Sequence, residues 1–179
     1  MFYMFFAEGF EEVEAIATLD VLRRAGIDIN SVGINDIKIT GSHGITVVCD
    51  ETSEEISTDN IQGIILPGGM PGTLNLLNSE CVNRFIDFCY ENDRYICAIC
   101  AAPMILGKKG LLSGKKAVCF PGFEDELIGA EISDSYICTD GKIITAKGMG
   151  SAVNFGLAIT AAVLGDEMAD KLKETLQCS

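Results

Sequence analysis

The residue pattern predicts an α/β domain whose mostly parallel sheet is covered by helices on both faces. Short β-rich runs alternate with longer helix-period segments along the whole chain. The runs at 1–7, 61–66 and 95–99 are apolar nearly throughout, the mark of strands buried on both faces. No linker, repeat or low-complexity stretch divides the 179 residues, which is ordinary length for one domain, so the whole span 1–179 is expected to fold as a unit.

Residues 1–7 form the first strand. Apolar side chains at Val13, Ile16, Ala17, Leu19, Val21 and Leu22 then predict a helix over 10–25, stopped by Gly26. A second strand is expected at 27–34, and 37–40 with 45–48 make a hairpin around Gly41-Ser42-His43-Gly44, an insertion in the parallel scheme. The strand at 61–66 ends in Pro67-Gly68-Gly69; a helix over 79–91 and a strand over 95–99 follow, with Cys100 where that strand must end. A short helix from 101 to 107, strands at 115–120, 136–139 and 143–146, and helices at 151–164 and 166–177 complete the chain. Asp140-Gly141 is the tight turn between the last two strands. The helix over 151–164 is apolar nearly all round and is expected to be buried.

Composition narrows the function classes. With 48% hydrophobic and 22% charged residues the chain is too apolar for disorder. A formal charge of -13 would repel a phosphate backbone, so nucleic acid is not an expected partner. No apolar run is long enough to span a bilayer, and the first residues lack a basic flank and meet Glu8 at once, so neither membrane nor export is expected and a cytoplasmic setting is. In that setting the eight cysteines need not form disulfides, and Cys49, Cys89, Cys119 and Cys138 lie in apolar runs where free cysteine packs as a small hydrophobe.

Cys100 has a different context. The run Tyr95-Ile96-Cys97-Ala98-Ile99-Cys100-Ala101-Ala102-Pro103 has the order strand, nucleophile, small residues, helix. A nucleophile on a sharp strand-to-helix turn needs small neighbours two residues either side, and Ala98 and Ala102 supply them. Pro103 suits the first helical turn. A sulfur at a helix N-terminus is expected to have a lowered pKa. On this segment alone, one more buried cysteine at a strand end is the competing reading. Cys97 and Cys100 also form a C-x-x-C pair, but a three-residue step inside a strand covers ~10 Å, too far for a disulfide. No second pair or nearby histidine completes a zinc site, and no metal or other cofactor is expected.

Pro67-Gly68-Gly69 and Cys100 both end strands, and in open α/β sheets sites form at the carboxyl ends of strands. The amides of Gly69 and Ala101 are therefore candidates for an oxyanion-binding pair. Glu14 follows the first strand closely enough to face the same end, whereas Glu11 and Glu12 are expected simply to stabilise the helix N-terminus.

Glu14 in Glu11-Glu12-Val13-Glu14, the Leu66-Pro67-Gly68-Gly69 loop, Ala98-Ile99-Cys100-Ala101-Ala102-Pro103 and Gly148-Met149-Gly150 together resemble the ThiJ/PfpI superfamily, in the branch of the parkinsonism-associated protein deglycase and its bacterial homologues. Asp20-Val21-Leu22-Arg23-Arg24-Ala25-Gly26 adds to the match, which covers almost the whole chain. The resemblance implies a flavodoxin-like three-layer sandwich, a homodimer, an oxidation-prone Cys100, and a protonated Glu14 donating a hydrogen bond to it. It implies a small carbonyl substrate and glyoxalase or deglycase activity, with a non-enzymatic peroxide sensor or chaperone as the alternative and a cysteine peptidase or amidotransferase behind both. Where many relatives carry a histidine, this chain has Phe120, and Met149 stands where animal members have proline. The single histidine, His43, with Arg23 and Arg24, is a candidate for reaching a partner subunit's active site; a solvent-facing His43 is the competing reading.

Overall fold

A computed structural model describes residues 1–178. The chain runs β1 (Phe2–Phe6), α1 (Glu12–Arg24), β2 (Ile29–Gly33), β3 (Lys38–Thr40), β4 (Thr46–Val48), β5 (Glu51–Thr52), β6 (Gly63–Leu66), α2 (Gly72–Leu77), α3 (Glu80–Glu91), β7 (Tyr95–Ile99) and α4 (Pro103–Lys108). It continues through β8 (Lys116–Ala117), β9 (Glu131–Ile132), β10 (Ile137–Asp140), β11 (Ile143–Ala146), α5 (Ala152–Leu164) and α6 (Asp166–Thr175).

Seven strands form the main sheet in the order β10-β11-β7-β6-β1-β2-β5, with every neighbouring pair parallel except β10 and β11. The five long parallel strands are thus arranged 2-1-3-4-5, the flavodoxin-like doubly wound order. Successive residues of β1 feed opposite cores, as strand geometry requires. Tyr3 and Phe5 pack with Leu76, Phe85 and Ile105 under α2, α3 and α4, while Phe2, Met4 and Phe6 pack with Leu19, Leu22 and Phe155 under α1 and α5. Every residue of β1 is buried, and each fully buried phenylalanine stabilises the fold by roughly 1.5–3 kcal/mol. This accounts for the unbroken apolar run.

The hairpin of β3 and β4 is antiparallel and separate from the main sheet, as expected. The run 115–120 departs from expectation: only Lys116–Ala117 is strand, paired with β9 outside the main sheet. Beyond it the amide of Val118 is taken by Thr145 Oγ1 and that of Phe120 by the Cys100 carbonyl, so the chain crosses the ends of β11 and β7 and does not run beside them. The helix over 151–164 is also less buried than its composition suggests. It packs on α1 and α6, but Leu164 is exposed at its end. Short β5, α2 and β9 carry too few residues to register as periodic signals. Among the described residues no helix is long and apolar enough to cross a membrane.

Candidate active site at the Cys100 elbow

Cys100 lies at the carboxyl end of β7, beside the ends of β6 and β11. Its φ of 64° is in the left-handed region, where a non-glycine residue is strained. Two hydrogen bonds pin this geometry: its amide donates to the Ala146 carbonyl at 2.9 Å, and its carbonyl accepts from the Phe120 amide at 2.8 Å. Ala98 and Ala102 are fully buried around the turn, where larger side chains would not fit. Pro103 opens α4, as expected.

Glu14, in the first turn of α1, is only 1% exposed. Its Oε2 accepts from the Gly68 amide at 2.9 Å, and the carboxyl is hydrogen-bonded to the Cys100 thiol. Gly68 is the spacer that lets these groups meet: a Cβ there would sit 2.6 Å from both the Cys100 Cβ and Glu14 Oε2. The loop that carries it is interlocked with the start of α1, since the Glu11 amide donates to the Gly68 carbonyl at 2.9 Å. The amides of Gly69 and Ala101 favour the Cys100 anion.

Burial pushes Glu14 up to about 7, against the hydrogen bonds from Cys100 and Gly68; the charge of Glu11 adds to the rise. Burial also pushes the Cys100 thiol up to about 12, and the facing Glu14 charge adds to that. The expectation of an acidic thiol from the helix end alone is therefore corrected: the Ala101 and Gly69 amides favour the anion but are outweighed. Cys100 and Glu14 titrate as one pair, which sheds its first proton near neutrality and holds its second firmly. Above about pH 7, sulfur and carboxyl together hold one proton and one negative charge.

Cys49, Cys89, Cys97 and Cys119 are buried and burial raises each pKa, while Cys138 is only half-buried, less than its sequence suggests. Cys97 and Cys100 are both free.

Within one chain, none of His43, Arg23 and Arg24 is bonded to Cys100. Arg23 pairs with Asp50 at 2.5 Å and Arg24 with Asp20 at 2.6 Å on its own helix. The His43 ring is 72% exposed, and its Nδ1 lies 2.9 Å from Glu12 Oε2. The bond to Glu12 draws the imidazole pKa upward. Glu12 is the residue that sequence reasoning misjudged. Glu11 does cap α1, accepting from the Glu14 amide at 2.7 Å. Glu12, by contrast, is 5% exposed and accepts from the His43 amide at 2.7 Å, from Ile45 and from Ser42, so it clamps the hairpin turn to α1. Burial pushes its pKa upward, but the hydrogen bonds from His43 and Ile45 win and hold it at about 2. Gly41 two residues before His43 leaves room for this clamp, since a Cβ there would lie inside the Glu12 carboxyl. Glu11, Glu12 and His43 are also the one set of metal-type donors among the described residues, all within 4.8 Å, but Glu11 and Glu12 already accept the hydrogen bonds named.

A doubly wound sheet with a strained cysteine on a strand-to-helix elbow and a buried carboxyl beside its thiol defines a cysteine-centred α/β protein, the pair lying at the strand ends. The chain belongs to the DJ-1/PfpI family, whose model matches residues 2–162. It is 36% identical to protein DJ-1 homolog B of Arabidopsis thaliana over 91% of this chain and 38% of that protein. It is 32% identical to protein dj-1beta of Drosophila melanogaster, covering 95% of this chain and 92% of the relative. A deglycase of Thermococcus kodakarensis is 30% identical over 80% of this chain and 87% of its own length. The chain spans less than half of the two Arabidopsis relatives it matches, 38% and 44%. Among solved structures it superposes on Drosophila DJ-1beta with a TM-score of 0.94 at 30% identity, covering 99% of this chain and 97% of that one. Oxidized Toxoplasma gondii DJ-1 gives 0.95 at 29% identity, covering 99% and 98%.

Proposed function

We propose that this chain is a stress-response protein that acts on α-oxoaldehydes or their adducts through the Cys100 sulfur, with Glu14 as its proton donor and acceptor. The observation that carries this reading is the convergence on one strained sulfur of a carboxyl group that titrates near neutrality and the Gly69 and Ala101 amides. The similarity to a deglycase supports it.

In the reactive form of the pair the proton sits on Glu14 and the charge on sulfur. The thiolate adds to the aldehyde carbon, and the carbonyl oxygen takes a proton to give a hemithioacetal; the Gly69 and Ala101 amides stabilise the oxygen while it is charged. Glu14, now a carboxylate, removes the proton from that carbon, and a proton returns to the neighbouring carbon to leave a thioester. Water then hydrolyses the thioester, releasing a 2-hydroxy acid and the thiol, so no external oxidant or cofactor is consumed. Peptide cleavage is disfavoured because Phe120, standing where many relatives carry histidine, has no proton to give an amine leaving group.

The test is consumption of methylglyoxal with appearance of lactate by purified protein. Cys100→Ser is expected to abolish it, and Glu14→Gln to lower kcat by about 10²-fold or more, since the amide hydrogen-bonds but moves no proton. Turnover unaffected by Glu14→Gln would refute the acid/base role. A second reading is oxidation of Cys100 to sulfinate as a peroxide signal. It is favoured by the same amides, which suit sulfinate oxygens equally, and a close structural match is the oxidized Toxoplasma protein. Peroxide-dependent oxygen uptake at Cys100 without oxoaldehyde turnover would select it. We further propose a homodimer through α1 and the β3–β4 hairpin, where Val13, Ile16, Ile45 and Val48 are exposed; sedimentation as a monomer would refute it.

A further inference from the structure

We propose that the mouth above Cys100 selects carbonyl substrates that carry an apolar, ring-sized substituent, with Phe120 and Met149 as the specificity-determining wall. The inference deepens the carbonyl chemistry assigned above and rests on it for the reaction, though not for the shape of the mouth.

Phe120 is tied to the elbow by its amide, which donates to the Cys100 carbonyl at 2.8 Å. Its ring leans on the Gly148 backbone: a Cβ at Gly148 would lie 3.2 Å from Phe120 Cδ2 and 3.9 Å from Glu14 Oε1. The ring and the Glu14 carboxyl therefore flank the same short stretch of chain. Phe120 is nevertheless 47% exposed, so much of a large apolar ring faces open space beside the reacting groups. Met149, next to Gly148 in the chain, is 54% exposed. Met70, also exposed, directly follows Gly69 in the loop whose Gly68 packs against the thiol. Phe120 and these two methionines thus leave apolar surface open on the loops that flank the thiol, a surface that gains by covering an apolar group.

The charges point the same way. Lys147, the cation next to Gly148 in the chain, has its ammonium 5.4 Å from the centre of the Tyr136 ring. Glu11 adds negative charge beside Glu14, in a chain of net charge -13. A substrate carboxylate would meet anions, whereas an aryl or alkyl group would meet Phe120 and the methionines.

Two measurements test this. In the first, kcat/KM is compared for phenylglyoxal, 4-carboxyphenylglyoxal and methylglyoxal. The expected order is phenylglyoxal above methylglyoxal by about tenfold or more, with 4-carboxyphenylglyoxal below phenylglyoxal, and the phenylglyoxal-to-methylglyoxal ratio is expected to fall about tenfold in Phe120→Ala. The second needs no turnover: the rate ratio for N-phenylmaleimide over N-ethylmaleimide is read at the Cys100 peptide and divided by the same ratio for free cysteine. That quotient is expected to be several-fold above one and to fall toward one in Phe120→Ala and Met149→Ala. A raised quotient with no oxoaldehyde turned over would refute the carbonyl reaction and keep the apolar mouth. A quotient of one, or one unchanged in both variants, would overturn the inference whatever the turnover.

Discussion

Glu14 gives the sharpest test, because its buried carboxyl couples the fold to pH in a window of its own. Its pKa in the native state is about 7 against an ordinary 4.5, raised chiefly by burial. Between these values the folded chain keeps a proton that the unfolded chain has lost, so stability must fall as pH rises from about 4.5 to 7. At about 1.4 kcal/mol per pH unit, the loss is about 3.5 kcal/mol, complete above pH 7. In Glu14→Gln the side chain keeps an oxygen for the Gly68 amide but has nothing to ionise, so this slope disappears. Urea unfolding of both proteins at pH 5 and pH 8 reads most of the effect directly: the variant should gain about 2.5 kcal/mol relative to wild type on going from pH 5 to pH 8. Groups not coupled to Glu14 cancel in that difference. Glu12, held at about 2, contributes stability that is full above pH 4.5 and lost only as pH falls toward 2. A difference between the two proteins that stays constant across pH 5 to 8 would refute the buried, proton-holding carboxyl.

Three further outcomes follow from the same geometry. Limited alkylation at neutral pH with peptide mass mapping should label Cys100 before Cys89, Cys97 or Cys119, which are at most 2% exposed; first labelling at one of those would sink the assignment. Gly68→Ala should destabilise the fold by about 1–3 kcal/mol and change thiol reactivity, because the added methyl must displace the Cys100 Cβ or Glu14 Oε2; an unfolding midpoint and alkylation rate equal to wild type would contradict the close approach. Glu12→Ala should cost about 2 kcal/mol in urea unfolding at pH 7, since the His43 and Ile45 amides lose a charged acceptor, and should loosen hydrogen exchange at the 41–45 turn; protection unchanged there would exclude the clamp.

Much of the molecule can be read from the order of its residues, where the deciding physics is local. Unbroken apolar runs at β1, β6 and β7 report burial on both sheet faces, because a strand covered twice has no solvent side to mark with polar residues. Small residues on either side of Cys100, with Pro103 after them, report the elbow, because that turn tolerates little else. Other features depend on segments far apart in sequence. Whether the run 115–120 joins the sheet turned on competition for the Val118 and Phe120 amides by Thr145 Oγ1 and the Cys100 carbonyl, which no local pattern reveals. Glu11 and Glu12 look alike beside a helix start, yet one caps α1 and the other is buried under a hairpin some thirty positions on, because only folding brings the amides of His43 and Ile45 to it. The titration of Cys100 was likewise decided in three dimensions: the helix end and amides favour its anion, but burial and the carboxyl that α1 delivers outweigh them, leaving the pair to share a single proton.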